Sequence, residues 1–245
     1  MPPLGMILSV GSSIIFRWPP RSLARDTVTL LNSRKPRPLI LGIENIPRNG
    51  AVLFVANHHH RKTLWIGWAG ALLIEAVNNI RPARSPVRVV MNNAQRMSLF
   101  GQNRIMPFSR FAFRRVAHFW QMLLIPVERE NTAGQAAALK ATINVLKQGL
   151  PVLFFPEGEF GTAYGLVEAL QGTGTFIVLA SRRAAVVPCA FWEEGDILRG
   201  QIAPRLTITD SDDAAVRQQV MIAIGKMLPE SMWGSLAGLI RETPD

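Results

Sequence analysis

Cysteine is almost missing from this chain: Cys189 stands alone, so no internal disulfide can form and the fold does not depend on an oxidising compartment. It sits in an apolar run and reads as packing. A long hydrophobic run is missing as well. The amino-terminal stretch Leu4 to Phe16 offers about thirteen mostly apolar residues, where a bilayer span needs roughly twenty. No basic cluster precedes it and no small-residue cleavage site follows, which argues against a secretory signal peptide. A Gly-X-Ser-X-Gly elbow is lacking, so a serine-hydrolase reading has no nucleophile. Gln171-Gly-Thr-Gly-Thr175 lacks the third glycine and the preceding strand of a dinucleotide loop. Three histidines stand together at His58, His59 and His60, but no nearby Cys or Asp completes a tetrahedral set, so no metal is expected. Repeats, low-complexity tracts and a second globular domain are also lacking.

Carboxylates are scarce in one half only. Residues 1 to 120 hold 3 Asp+Glu against 17 Lys+Arg, a net of +14, whereas residues 121 to 245 hold 14 against 10, a net of −4. A field of that kind draws anions, and nucleic acid and anionic membrane are its usual partners. Here the arginines are mixed with large apolar residues, as in Arg96 to Gly101 and Arg110 to Met122. That mixture favours a membrane surface, and no nucleic-acid docking motif is present. With 48% hydrophobic residues in 245, the chain can bury a large core as one domain. The alternative to a membrane face is a core helix with a solvated basic side.

The chain order then suggests an α/β fold. Residues 1–38 read as an amino-terminal membrane-interface and basic segment, with a short interfacial helix bearing Arg17 and Trp18 at headgroup level. Residues 39–245 read as a single α/β domain with a largely parallel mixed sheet and crossover helices. Strands are expected at Pro38 to Gly42, Ala51 to Val55, Ser85 to Met91, Leu123 to Val127, Leu150 to Phe155, Ala185 to Trp192 and Leu206 to Thr209. Pro126 marks an edge or bulge. Asn49-Gly50 reads as a tight reversal before the central strand. Helices are expected over Arg21 to Leu31, Thr63 to Val77, Thr132 to Gln148 with Thr132 as its cap, and from the caps Ser211 and Asp212 to about Leu228.

Two of these strands carry the chemistry. Val52-Leu-Phe-Val-Ala-Asn-His58 delivers an imidazole just past a buried strand, where open α/β sheets place their sites. An imidazole titrates near neutrality and can take a proton from a hydroxyl. About a hundred residues later, Pro151-Val-Leu-Phe-Phe-Pro-Glu-Gly158 ends a second apolar strand in Phe155, Pro156, Glu157 and Gly158.

Asn57-His58 followed downstream by Phe155-Pro-Glu-Gly158 resembles the glycerolipid acyltransferases, the lysophosphatidate and glycerol-3-phosphate acyltransferase family. Two further blocks fall in the family's order: Ile125-Pro-Val-Glu-Arg129 is similar to its second motif and Val186-Val-Pro188 to its fourth. Gly42 to Gly50 is similar to the approach to motif one. The resemblance covers roughly residues 40 to 195. It implies acyl transfer from a thioester, acyl-CoA or acyl-carrier protein, to a lysophospholipid or related hydroxyl, with no bound cofactor, at the cytoplasmic face of a membrane. By the same resemblance His58 would be the general base, Asn57 would set its loop, and Arg129 would meet the acceptor's phosphate. Glu157, within Phe155 to Gly158, would hold the acceptor's hydroxyls. The chain departs from the family at two places. The aspartate five residues after the motif-one histidine is Thr63, which can accept the ring N–H but brings no charge. The Thr-Arg-Ser after Phe-Pro-Glu-Gly is Glu159-Phe160-Gly161. A relative that binds lipid without turnover is the alternative these departures leave open.

Overall fold

In the computed structural model, residues 5, 8, 9, 11, 12, 15, 21–58, 67–81, 86–99, 102–128, 130–158 and 165–243 are described. A seven-stranded sheet organises them: β1 (Leu39–Leu41), β2 (Val52–Ala56), β3 (Arg88–Asn92), β6 (Leu123–Ile125), β7 (Pro151–Phe154), β8 (Ala185–Glu194) and β9 (Ile197–Ile202). Their spatial order is β1-β9-β8-β2-β7-β3-β6, and β4 (Arg96–Leu99) pairs with β5 (Gln102–Ile105) in a separate antiparallel ribbon. Every pairing in the large sheet is parallel except β8 with β9. This is a largely parallel mixed sheet in one α/β domain.

Strand β2 lies at the centre and is buried from end to end. Alternate side chains leave a strand on opposite faces, so Val52, Phe54 and Ala56 enter one core while Leu53 and Val55 enter the other. The first core is closed by α1 (Leu23–Asn32) and α2 (Gly67–Ile80), the second by α4 (Thr132–Lys147), α5 (Thr173–Ser181) and α6 (Asp213–Gly225). Two covered faces explain why β2 and β7 read as continuous apolar runs rather than alternating ones. Helix α2 is apolar from Gly67 to Ile74 because protein surrounds that part, Trp68, Leu72 and Leu73 included, while Glu75 reaches out to pair with Arg37. The remaining helices are α3 (Ser109–Trp120), between β5 and β6, and α7 (Ala237–Glu242) at the end of the chain.

The amino-terminal helix is tied into the domain. Leu30 and Leu31 are buried in the first core. Asp26, itself buried, pairs with Arg21 at 2.7 Å and accepts the indole N–H of Trp120 at 2.8 Å, which joins α1 to the end of α3. Leu8 and Ile15, on helical residues further upstream, are 64% and 67% exposed, so this stretch offers apolar side chains to its surroundings.

Several local expectations are corrected. The cap of α4 is Asn131, whose side chain accepts from the Gly134 N–H, and Thr132 is the first helical residue. Asn49-Gly50 does not reverse the chain between neighbours: β1 lies at the far edge beside β9, and only Gly50 takes a left-handed φ. Leu206 to Thr209 is not a strand. Leu206 makes one isolated bridge to Val186, and residues 207–210 carry no ladder. The last strand is instead Ile197–Ile202, folded back on β8 through Gly195 at φ +59°. The helix expected to run to about Leu228 is shorter, Asp213–Gly225, and of its two expected caps Asp212 is the one that accepts the Ala215 N–H. The ribbon of β4 and β5 has no counterpart among the expected strands. The first four residues of the expected Thr63 to Val77 helix lie outside the described residues.

Candidate active site

The carboxyl ends of β2 and β7 bring the two motif loops together. In the parallel register Val55 is opposite Phe154, and three residues further along His58 stands level with Glu157. The backbone N–H of His58 donates to Oε2 of Glu157, in a short contact. The other carboxylate oxygen, Oε1, accepts the Val167 N–H at 3.1 Å. Glu157 is buried, so it braces three segments at once: the loop after β2, the loop after β7 and the segment around residue 167. Burial pushes its carboxyl above the usual carboxylate range, opposed by the N–H groups of His58 and Val167.

Each neighbour has a physical reason for its identity. Gly158 donates its N–H to the Phe155 carbonyl at 3.1 Å, closing a turn around Pro156 and Glu157. Proline supplies the fixed φ of the second turn position. Gly158 takes φ +70°, and a Cβ there would collide with the side chain of Leu170, so only glycine fits. The Phe155 ring meets the His58 imidazole edge-on, with centroids 5.1 Å apart. Asn57 is buried and acts as a two-pronged clamp: its Nδ2 donates to the Phe191 carbonyl at 2.9 Å and its Oδ1 accepts the Phe191 N–H at 2.7 Å. A side-chain amide thus imitates one more residue of sheet, fixing the start of the histidine loop on β8.

Asn92, at the end of β3, donates to the Gly158 carbonyl at 3.2 Å, and Asn93 accepts the Val127 N–H at 3.2 Å. These two asparagines carry β3 and β6 into the same end of the sheet. Their one mark in the sequence is an Asn-Asn pair directly after an apolar run. Arg129 lies outside the described residues, just past β6; its neighbour Glu128 pairs with Arg110. Thr63 lies outside them too. Cys189 is fully buried and burial raises its thiol pKa, so it is no nucleophile. Among the described residues no cluster of His, Cys, Asp or Glu could hold a metal ion, and no helix is long and apolar enough to cross a membrane.

The arrangement can present a histidine ring, held through its own backbone, to a substrate at the open end of a rigid sheet. A family model described as Acyltransferase matches residues 37–192. No curated protein sequence matches the chain. Among solved structures, the 1-acyl-sn-glycerophosphate (LPA) acyltransferase PlsC from Thermotoga maritima is similar, with a TM-score of 0.50 and 15% identity over 96% of this chain and 90% of that one. That likeness shows the fold, and the family model takes in both strand ends that carry His58 and Glu157. The chain belongs to the acyltransferase family and is an acyltransferase enzyme.

Proposed function

We propose that this enzyme moves a fatty acyl group from a thioester donor, acyl-CoA or acyl-carrier protein, to the hydroxyl of a lysophospholipid at the cytoplasmic face of a membrane. The observation that carries the reading is the level pairing of His58 and Glu157 at the carboxyl ends of β2 and β7. His58 takes the proton as the acceptor oxygen attacks the thioester carbonyl. The tetrahedral intermediate then collapses, the C–S bond breaks, and the thiolate leaves with the proton that His58 returns. General-base help of this kind is worth about 10² to 10⁴ in rate. Asn57 and Glu157 act as positioning residues for the imidazole. Thr63 stands where the resemblance expects an acid, and a hydroxyl brings no charge to that position. Arg129 meets the acceptor's phosphate, and the amino-terminal 1–38 segment adds membrane contact through side chains such as Leu8 and Ile15.

The test is product formation by the full chain, using radiolabelled acyl-CoA and acyl-carrier protein against a panel of lysophospholipids and simpler alcohols. The reading expects an esterified lysophospholipid with one of the donors, and its loss in His58→Ala. Vesicle association with no ester from any pairing would make the chain a lipid-binding relative instead.

A further inference from the structure

The turn that opens α3 is built against its own stability. Phe108 is 87% exposed and sits at φ +60°, a left-handed conformation that side chains other than glycine and asparagine avoid. It also occupies the cap position of α3 without supplying a side-chain acceptor. An asparagine would suit both the backbone and the cap. Folding gives no reason for a bare aromatic ring here. Its neighbours repeat the pattern: Phe111 is 51% exposed and Met106 46%.

The charges around these side chains are of one sign along the chain. Residues 104 to 118 contain four arginines and no Asp or Glu. Arg104, Arg110 and Arg114 are exposed, and the Arg115 guanidinium lies 5.1 Å from the Phe111 ring centre. Glu128, from the loop beyond β6, pairs with Arg110. On the inner side of the helix, Ser109, Ala117, Phe119 and Trp120 are buried. The outer side thus pairs exposed apolar tips with cations, the composition of an interfacial helix.

The turn is fastened to the end of the sheet that holds His58 and Glu157. Met106 donates its N–H to the Gln95 carbonyl at 2.8 Å, and the Gln95 N–H donates to Oγ of Ser109 at 3.2 Å. Gln95 follows β3 by three residues, and Asn92 at the end of β3 holds the Gly158 carbonyl.

We propose that this turn, Met106 to Phe111, is the face that docks the enzyme on an anionic lipid bilayer. Met106, Phe108 and Phe111 enter the acyl boundary while Arg114 meets a lipid phosphate. A lipid acceptor then leaves the bilayer at the end of the sheet where the imidazole waits. The inference rests on the acyltransferase reading for its purpose, but the docking itself is measured without turnover. An acidic protein partner would need the arginines and not the three apolar side chains.

The experiment is flotation of the full chain with vesicles of phosphatidylcholine mixed with phosphatidylglycerol, and with phosphatidylcholine alone. Phe108→Asn should raise the melting temperature and weaken partition onto the mixed vesicles by about tenfold, the scale for withdrawing one large apolar side chain from the interface. Adding Phe111→Ser should weaken it further, and His58→Ala should bind as the parent does even if turnover is gone. Opposite signs for stability and binding at Phe108 are not what a purely structural role produces. Parent-like partition of Phe108→Asn and of the double variant overturns the proposal. So does loss of binding in Leu8→Ser/Ile15→Ser with the Phe108 variants unaffected, which would move docking to the amino-terminal stretch. Sensitivity to Arg114→Gln alone, with the apolar variants silent, also overturns it and leaves adsorption by charge with no insertion of the turn.

Discussion

The two ends of β2 and β7 are each held by one buried ionic side chain, and the two clamps differ in what they hold. At the amino end Arg81, 5% exposed, donates to the carbonyls of Pro47 and Gly50 at 2.7 Å and of Gly149 at 3.4 Å, joining the approaches to both strands. At the carboxyl end Glu157 accepts two N–H groups and joins the departures. Arg81 grips backbone that carries no chemistry. Glu157 grips the backbone of a histidine. Burial lowers the pKa of Arg81 and raises that of Glu157, yet a guanidinium stays charged at any working pH while a buried carboxyl can take up a proton. The structural clamp is therefore indifferent to pH and the one beside the imidazole is not. The amino end also carries an open cleft of about 540 Å³ beside Arg182, Arg183 and Arg205, remote from His58.

This contrast can be broken by mutation, and the largest effect belongs to the imidazole. His58→Ala should lower turnover by about 10² to 10⁴ with the melting temperature nearly unchanged, as measured by product formation and thermal unfolding. Next comes Arg81→Ala, which takes a shared donor from three carbonyls that solvent can partly reach and should cost about 1 to 3 kcal/mol in urea denaturation. Turnover per folded molecule should stay at the parent value; a drop there would mean that the amino-end clamp also shapes the site. Glu157→Gln keeps one acceptor and presents an amide to the other N–H, so the histidine loop shifts. A displacement near 1 Å can cost about 10²-fold, so kcat should fall tenfold to a hundredfold and KM much less. If KM rises while kcat holds, Glu157 contacts the acceptor and is not a positioning residue.

The smallest effect is on pH dependence. A folded-state pKa above the unfolded one means that the folded chain binds more protons between the two values. Stability of the parent relative to Glu157→Gln should then fall as pH rises from the ordinary carboxylate pKa through the raised one, and level off above it. Paired denaturation series across acidic to neutral pH give the sign, and a parent that gains on the variant over that interval contradicts the burial argument.

Much of this site could be read before any coordinates. Two apolar runs of similar length, each followed by loop polar residues, are enough to place His58 and Glu157 at strand ends, and parallel pairing makes them level. Arg81 could not be found that way. Among eight arginines between residues 81 and 115 it looks like one more basic residue, and only the fold reveals three carbonyls around it. The resemblance already implies that Asn57 sets the loop, but its partner is hidden in the sequence, since Phe191 lies 134 residues away. The hairpin of β8 and β9 was missed because Glu193-Glu-Gly-Asp196 reads as a surface loop, while Leu206 to Thr209 has local strand propensity but no uninterrupted ladder to join. Asn131 and Thr132 can both cap a helix, and local sequence does not choose between adjacent acceptors.

The most direct test of the central claim is the single-turnover rate of acyl transfer, followed across pH in the parent and in His58→Ala. A histidine acting as base gives a parent curve that falls on the acid side with the uptake of one proton, and a variant whose residual rate is at least about a hundredfold lower and lacks that limb. A variant that reproduces the parent's rate and the parent's acid limb would show that the proton goes elsewhere.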